Sequence, residues 1–381
     1  MPPAFLSERP IFVVAAWLVV IALVVALLVI GRALLIPLAV ALIVWYLING
    51  VARTVAKISI GRFRPPFPLC IAITVAIIIA FFVLIGDLVS NNVALVSESA
   101  PTYEQNIQRL LTGFAGWFGM ERVPTIDSLV TRMNLGEFIP ALAGSVSGFV
   151  ADAGLVLAYV LFLLFEQTVF DAKLRRFIRN PDREQSVRAV LARISKEIET
   201  YIWIKTVTSA LTGVISYAVL ILVGVDYAAF WGFLIFLLAY IPTIGSLLGI
   251  MFPAVLTLLQ FGDWEPFLLT LIPLAFTQIV IGNVVEPRMM GRSLNLSPMV
   301  VMVSLILWSS LWGVPGAFLC VPITVIFLII CTYVPSMRGV AVLLSTDGSV
   351  ENVPKPANSR RRARPRTGPG ARPATPPPPT D

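Results

Sequence analysis

Long apolar runs separated by short polar loops dominate the chain from residue 11 to residue 335. The early runs are close to the ~20 residues that a helix needs to cross the hydrocarbon core of a bilayer. They predict membrane-spanning helices over Ile11–Ile30, Ala33–Val51, Phe67–Ser90, Gly148–Thr168 and Tyr201–Val223. Together with the later runs, they predict an all-α, polytopic integral membrane protein of about eight transmembrane helices.

The later stretch, Tyr227–Pro335, is equally apolar, but proline and glycine interrupt it at close intervals. These breaks predict two hairpins, each either re-entrant or made of two short crossings, with one ordinary crossing between them. The hairpins are Tyr227–Ile241 with Leu247–Phe261, turning at Pro242–Gly245, and Met299–Trp312 with Ala317–Tyr333, turning at Gly313–Gly316; Pro266–Val285 is the crossing between them. Because lipid offers unpaired backbone groups no water, such breaks must be buried in protein or line a wet cavity.

Polar segments divide the chain into four parts, which are residues 1–90, 91–147, 148–345 and 346–381. The insert 91–147 has apolar residues at helical spacing, so it predicts either amphipathic helices on the membrane surface or a small helical cap. The segment 169–200 is strongly basic and predicts an amphipathic helix that leads into the span at Tyr201. The tail 346–381 is rich in Pro and Arg and is expected to be disordered, since it has too few apolar residues to fold.

The distribution of basic residues predicts the orientation of the chain. Loops 52–66 and 169–200 are rich in Lys and Arg, whereas the insert 91–147 is net acidic. Basic loops stay in the cytoplasm, so we expect both termini to be cytoplasmic and the insert to lie outside.

Composition supports a membrane protein and excludes several other classes. The chain is 57% hydrophobic and 13% charged, with a mean hydropathy of +0.89, whereas soluble domains carry about 25% charged residues. The net charge of +7 is concentrated in loops and in the tail, which argues against nucleic-acid binding. The sequence has no histidine and no metal-binding cysteine spacing, so we expect neither a metal nor a cofactor.

The interrupted stretch contains a set of distinctive motifs: Ile241-Pro242-Thr-Ile-Gly245 with Pro253, Gly282-Asn283, Glu286-Pro287-Arg288-Met-Met-Gly291-Arg292-Ser293-Leu-Asn295-Leu-Ser297-Pro298, Gly313-Val-Pro315-Gly316 and Val321-Pro322. In these motifs the chain resembles the AI-2E (autoinducer-2 exporter) family of bacterial permeases, also described as PerM-like, and the resemblance extends over roughly residues 10–340. The resemblance implies a homo-oligomeric transporter of the bacterial inner membrane. Some members are associated with export of the signal autoinducer-2 and others with sodium/proton exchange. Many members have a histidine where this chain has Ser297, so a proton-coupling role of that histidine cannot operate here.

Polar and helix-breaking residues inside the apolar body are the candidates for a substrate or ion pathway. The candidates are Pro242, Gly245, Gly249, Pro253, Gln278, Gly282, Asn283, Glu286, Pro287, Arg288, Gly291, Arg292, Pro298, Gly313, Gly316 and Pro322. Glu286 and Arg288 could pair with each other or bind an ion or polar solute. The glycines either unwind the backbone towards a solute or let helices pack closely.

The sequence therefore predicts a permease or exporter that moves a small polar solute, such as an autoinducer-2-like signal, around the two hairpins. The chain contains no G-x-x-x-x-G-K-[ST] loop, so transport is expected without intrinsic ATP hydrolysis. A sodium/proton antiporter and a non-transporting membrane scaffold are the alternatives. An enzyme is not expected, because no Ser/His pair is possible and Asp87 and Asp152 lie in no recognisable catalytic motif. The expected partners are the bilayer, the solute and further copies of the chain.

Overall fold

The computed structural model describes residues 10–57, 66–80, 83, 103, 105–106, 108–110, 112, 135–291 and 294–348. Every regular element in these ranges is a helix. The α-helices are α1 (Pro10–Ile30), α2 (Arg32–Lys57), α3 (Phe67–Ala80), α4 (Leu135–Phe177), α5 (Pro181–Val223), α6 (Ala228–Leu238), α7 (Ile244–Phe261), α8 (Trp264–Val280), α9 (Glu286–Met290), α10 (Pro298–Tyr333) and α11 (Arg338–Leu344). A π-helical turn, Ile281–Val285, joins α8 to α9, and a 3₁₀ turn, Pro335–Met337, precedes α11.

The described helices confirm the predicted all-α, polytopic membrane protein. Six of them are long and apolar enough to cross a bilayer, and α1, α3 and α6 contain shorter apolar stretches. Large apolar side chains face outwards along these helices, including Phe165 (74% exposed) and Leu222 (86% exposed). Such surfaces require lipid around them, because soluble monomers rarely expose contiguous apolar patches of this extent. Of the third predicted span, Phe67–Ser90, the residues beyond α3 fall almost entirely outside the described ranges.

Helix α5 joins the basic amphipathic segment and the fifth predicted span into one helix of 43 residues. Its start is set by Asn180, whose side chain accepts hydrogen bonds from the backbone N–H groups of Asp182 and Arg183. Pro181 occupies the first helical position, where its missing N–H costs nothing. The helix ends at Gly224, which adopts the left-handed conformation (φ 81°) typical of a C-cap.

Helices α6 and α7 form the first predicted hairpin, which turns at Pro242. Gly245 packs so tightly against the preceding arm that a Cβ atom there would lie 1.7 Å from the Leu238 carbonyl oxygen. Further along the arms, Gly249 packs against Ile235. Close backbone approach therefore holds the two short arms together near the turn.

The long helix α10 contains the second predicted hairpin, because its backbone reverses at Gly313 (φ 65°, ψ −142°). The Ser304 hydroxyl donates a hydrogen bond of 3.0 Å to the Cys320 carbonyl, 16 residues away, so the two arms run side by side. As in the first hairpin, a glycine sits at the turn: a Cβ on Gly316 would lie 1.9 Å from the Trp308 carbonyl oxygen.

The turn of the first hairpin packs against both arms of the second. The rings of Tyr240 and Phe318 stack with centroids 6.0 Å apart, and the Thr243 hydroxyl lies 3.5 Å from the Met302 sulfur. The largest buried cluster joins this junction to α2 and α5; its buried members are Tyr46, Ile198, Tyr201, Ile202, Ile241, Leu305, Ala317, Cys320, Val321, Val325 and Ile329. The hairpins are thus packed on a core to which α2 and α5 contribute.

Part of the insert 91–147 falls within the described residues. Its described positions between 103 and 112 are helical, and α4 begins at Leu135. The Asn106 amide donates hydrogen bonds to the carbonyls of Leu259 (3.0 Å) and Gln260 (2.7 Å) at the end of α7. The insert therefore contacts the helical body directly through this segment, while the rest of it up to residue 134, and the tail beyond residue 348, lie outside the described ranges.

Candidate functional site

One face of α5 carries a row of polar side chains within the apolar half of the helix. Lys205, Thr208, Ser209 and Thr212 follow one another at spacings of three, one and three residues, which places them on the same helical face. All four are at most 7% exposed, and all four line a single cleft. This face forms the first wall of the cleft.

The second wall comes from the end of α8 and the π-helical turn that follows it. Gln278, Gly282, Asn283 and Glu286 line the cleft from this side. A π-helical turn adds a residue to the helix and rotates the following side chains, and such turns are frequent at functional sites. Here Gly282 and Asn283 lie within the turn itself, and Glu286 follows directly after it.

An ion pair bridges the two walls. The Lys205 Nζ atom donates a hydrogen bond of 2.7 Å to Glu286 Oε1, and the two side chains are 8% and 20% exposed. Two opposite charges at this distance are attracted far more strongly than they would be in water, because nearby protein lowers the effective dielectric constant. Glu286 therefore pairs with Lys205, whereas Arg288 is exposed and does not line the cleft.

The turn of the first hairpin closes one side of the cleft. Ile241, Pro242, Thr243 and Ser246 line it there, and Thr243 has a left-handed φ of 61°. The same turn contacts the second hairpin, as described above. A movement of either hairpin would therefore change the shape of the cleft.

The cleft has a volume of about 550 Å³ and contains polar atoms without a partner. The Ser209 hydroxyl and the Gln278 amide nitrogen are buried and have no hydrogen-bond partner among the described residues. A buried polar atom without a partner costs about 1–3 kcal/mol. Both atoms would gain from a ligand, or from water, that brings hydrogen-bonding groups into the cleft.

The structure places the sequence-predicted site residues in two groups. Pro242, Gln278, Gly282, Asn283 and Glu286 line the cleft. The others that are described lie outside its lining: Gly245, Gly249, Pro253, Pro287, Arg288, Gly291, Pro298, Gly313, Gly316 and Pro322. Arg292 falls outside the described residues. At Gly245 and Gly316 the geometry matches close helix packing, which was one of the two alternatives.

Sequence reasoning did not identify the polar face of α5. Lys205 is the sole charged residue between Tyr201 and Val223, and an isolated charge inside a span was the signal that could have found it. Thr208, Ser209 and Thr212 extend that signal at helical spacing. Among the described residues, no group of three His, Cys, Asp or Glu side chains is placed to hold a metal ion.

Comparison with known proteins gives a consistent result over most of the chain. The pattern of the AI-2E family transporter matches residues 16–336. The AI-2 transport protein TqsA of Escherichia coli K12 is 30% identical over 318 residues, which cover 82% of this chain and 89% of TqsA. The YhhT protein of the same organism is 34% identical over 292 residues, which cover 74% of this chain and 77% of YhhT. The match thus includes both walls of the cleft and both hairpins.

Proposed function

Because the chain belongs to the AI-2E family of transporters, and is therefore a multi-pass membrane transport protein, we propose that the cleft between α5 and α8 binds its solute during passage. The observation that carries this proposal is the pair of buried, unpartnered polar atoms on Ser209 and Gln278. They lie on opposite walls of a cleft that polar and apolar side chains line together. A solute with hydrogen-bonding groups would satisfy both, which an apolar molecule could not do.

The transported solute is a small polar molecule. A volume of about 550 Å³ corresponds to about 18 water molecules at about 30 Å³ each, which is enough room for a solute of sugar size. Autoinducer-2 is of this class, and the related TqsA is named for its transport. We assign an autoinducer-2-like signal as the leading candidate solute, and passage requires no ATP hydrolysis and no enzymatic step.

The protein acts in the bacterial inner membrane with both termini in the cytoplasm, and it assembles as a homo-oligomer. The support for orientation is charge: Arg175, Arg176, Arg179 and Arg183 cluster where α4 ends and α5 begins. The contact of Asn106 with the end of α7 lies at the opposite end of α5, beside Gly224. Basic loops favour the cytoplasmic side, so labelling of single cysteines at the exposed positions 179 and 105 from each side of the membrane tests this arrangement.

Transport is tested with purified protein in liposomes loaded with the autoinducer-2 precursor 4,5-dihydroxypentane-2,3-dione. Efflux should exceed that of protein-free liposomes. The variant Ser209→Leu fills the cleft with an apolar side chain, and efflux should fall to the protein-free level. The matched control is Ser310→Leu, because Ser310 is an exposed serine of α10 outside the cleft. Equal efflux from both variants would show that the solute does not pass through the cleft.

The sodium/proton antiporter is the second candidate, and one observation favours it. Glu286 is a carboxylate within the cleft, and carboxylates within membranes can bind protons or cations. The same liposomes with an internal pH dye distinguish the two functions. In an antiporter, sodium added outside enters in exchange for internal protons, so a rise of internal pH that depends on sodium and not on the dione would identify it. If correctly folded protein shows neither activity, the result would favour the non-transporting scaffold.

A further inference from the structure

The cleft contains one positive and one negative side chain, and these two are bonded to each other. Lys205 and Glu286 are the charged residues among those that line the described cleft. Their 2.7 Å contact leaves the lysine side chain 8% exposed and the carboxylate 20% exposed. The other polar lining residues are uncharged: Tyr201, Thr208, Ser209, Thr212, Thr243, Ser246, Gln278 and Asn283. The net charge of the cleft is therefore zero.

A second Lys–Glu ion pair in the chain has the same N–O distance but is exposed to solvent. Lys173 Nζ lies 2.7 Å from Glu166 Oε1, and these side chains are 63% and 48% exposed. Water screens such an exposed pair, so removing one partner has little effect on its surroundings. The Lys205–Glu286 pair is largely shielded from water, so removing one partner leaves the other charge poorly compensated, which is unfavourable unless a counter-charge enters.

We infer that the Lys205–Glu286 pair sets the charge selectivity of the cleft: it makes the site accept uncharged polar solutes and reject free anions and cations. This inference rests on the proposed function of the cleft as the solute-binding site. An anion entering the native cleft meets the Glu286 carboxylate, and a cation meets the Lys205 ammonium. Each ion would have to displace an existing partner, whereas a neutral solute needs only the hydrogen-bonding groups around the pair.

Removing either charge should change which ions the cleft accepts, and the sign of the remaining charge predicts the change. Glu286→Gln leaves Lys205 without its counter-charge, so the cleft should become selective for anions. Lys205→Met leaves Glu286 without its counter-charge, so the cleft should become selective for cations. The double variant Lys205→Glu with Glu286→Lys keeps both charges in exchanged positions and should restore the preference for neutral solutes.

The experiment uses three probes of similar size, which are uncharged xylitol, the anion gluconate and the cation choline. Uptake of each radiolabelled probe is measured in liposomes that contain the full-length protein. Relative to xylitol, gluconate uptake should rise at least about tenfold in Glu286→Gln, and choline uptake should rise similarly in Lys205→Met; tenfold corresponds to about 1.4 kcal/mol. The matched controls Glu166→Gln and Lys173→Met remove the same charges from the exposed pair and should keep the native ratios.

A binding measurement separates this inference from the proposed function. Thermal unfolding of each purified variant in detergent is recorded with and without each probe, which requires no transport. Stabilisation of Glu286→Gln by gluconate and of Lys205→Met by choline would support the charge selectivity of the cleft, whether or not any probe crosses the liposome membrane. If the probes bind in this way but none crosses the membrane, the proposed transport function is contradicted and the charge selectivity is not. Uptake and stabilisation that are unchanged in both single variants, or changed in the same direction, would overturn the inference.

Discussion

The first hairpin depends on the absence of a side chain at one position. A Cβ atom on Gly245 would lie 1.7 Å from the Leu238 carbonyl oxygen and 2.6 Å from the carbonyl carbon. The obstructing atoms belong to the backbone of the other arm, so no rotation of a side chain can make room. We predict that Gly245→Ala forces the arms of α6 and α7 apart and distorts the turn at Pro242.

The expected cost follows from the nature of the contact. Overpacking a protein interior costs about 1–3 kcal/mol when side chains and backbone can shift, and a clash between two backbones belongs at the upper end, near ~3 kcal/mol. Gly154 in α4 provides the control, because it is exposed and a Cβ there would meet no atom within 4 Å. Alanine in a helix interior is about 0.5–1 kcal/mol more favourable than glycine, so Gly154→Ala should not destabilise the protein.

Thermal unfolding of the purified variants in detergent, followed through tryptophan fluorescence, compares the two substitutions directly. Gly245→Ala should unfold at a clearly lower temperature than Gly154→Ala, and hydrogen exchange should rise in residues 238–247. Gly316→Ala, which would clash with the Trp308 carbonyl in the second hairpin, should behave like Gly245→Ala. If Gly245→Ala is as stable as Gly154→Ala, close backbone packing is not what holds the hairpin together.

Three further substitutions test other local features. Asn180→Ala removes the N-cap of α5 and should destabilise the protein by about 1 kcal/mol, read as a lower unfolding temperature that Asn180→Asp does not produce. Asn106→Ala removes both hydrogen bonds to the end of α7 and should cost about 1–3 kcal/mol; unchanged hydrogen exchange in residues 258–262 would refute the contact. Gly313→Ala places a side chain at φ 65° and ψ −142°, a conformation that is largely restricted to glycine, and should cost about 1–3 kcal/mol, measured against Gly339→Ala, whose Cβ meets no atom within 4 Å.

The turns of both hairpins could be predicted from sequence because proline and glycine leave a visible signature in apolar runs. Pro242 and Gly313 do mark the places where the chain reverses. The role of each glycine was not predictable in the same way. Glycine suits both unwound backbone and close helix packing, so the residue type does not separate the two roles. At Gly245 and Gly316, the position of the opposing carbonyl group identifies close packing.

The site was harder to predict than the fold because its key contact is not local. Glu286 stands two residues before Arg288, which suggested a short-range pair, but its partner Lys205 is 81 residues away in sequence. Nothing in a helical pattern specifies which distant helix will lie opposite. The π-helical turn Ile281–Val285 likewise has no distinctive sequence, although it determines which side chains face the cleft.

The continuity of α5 has a mechanical consequence. At 1.5 Å per residue, its 43 residues form a rod about 65 Å long, roughly twice the ~30 Å thickness of the hydrocarbon core. The same rigid helix carries Lys205 and, about seven turns away, the capped basic end at Asn180. A small tilt of the cleft wall therefore produces a larger displacement at the basic end of the helix, where a fluorophore or spin label near residue 183 could record it without touching the cleft.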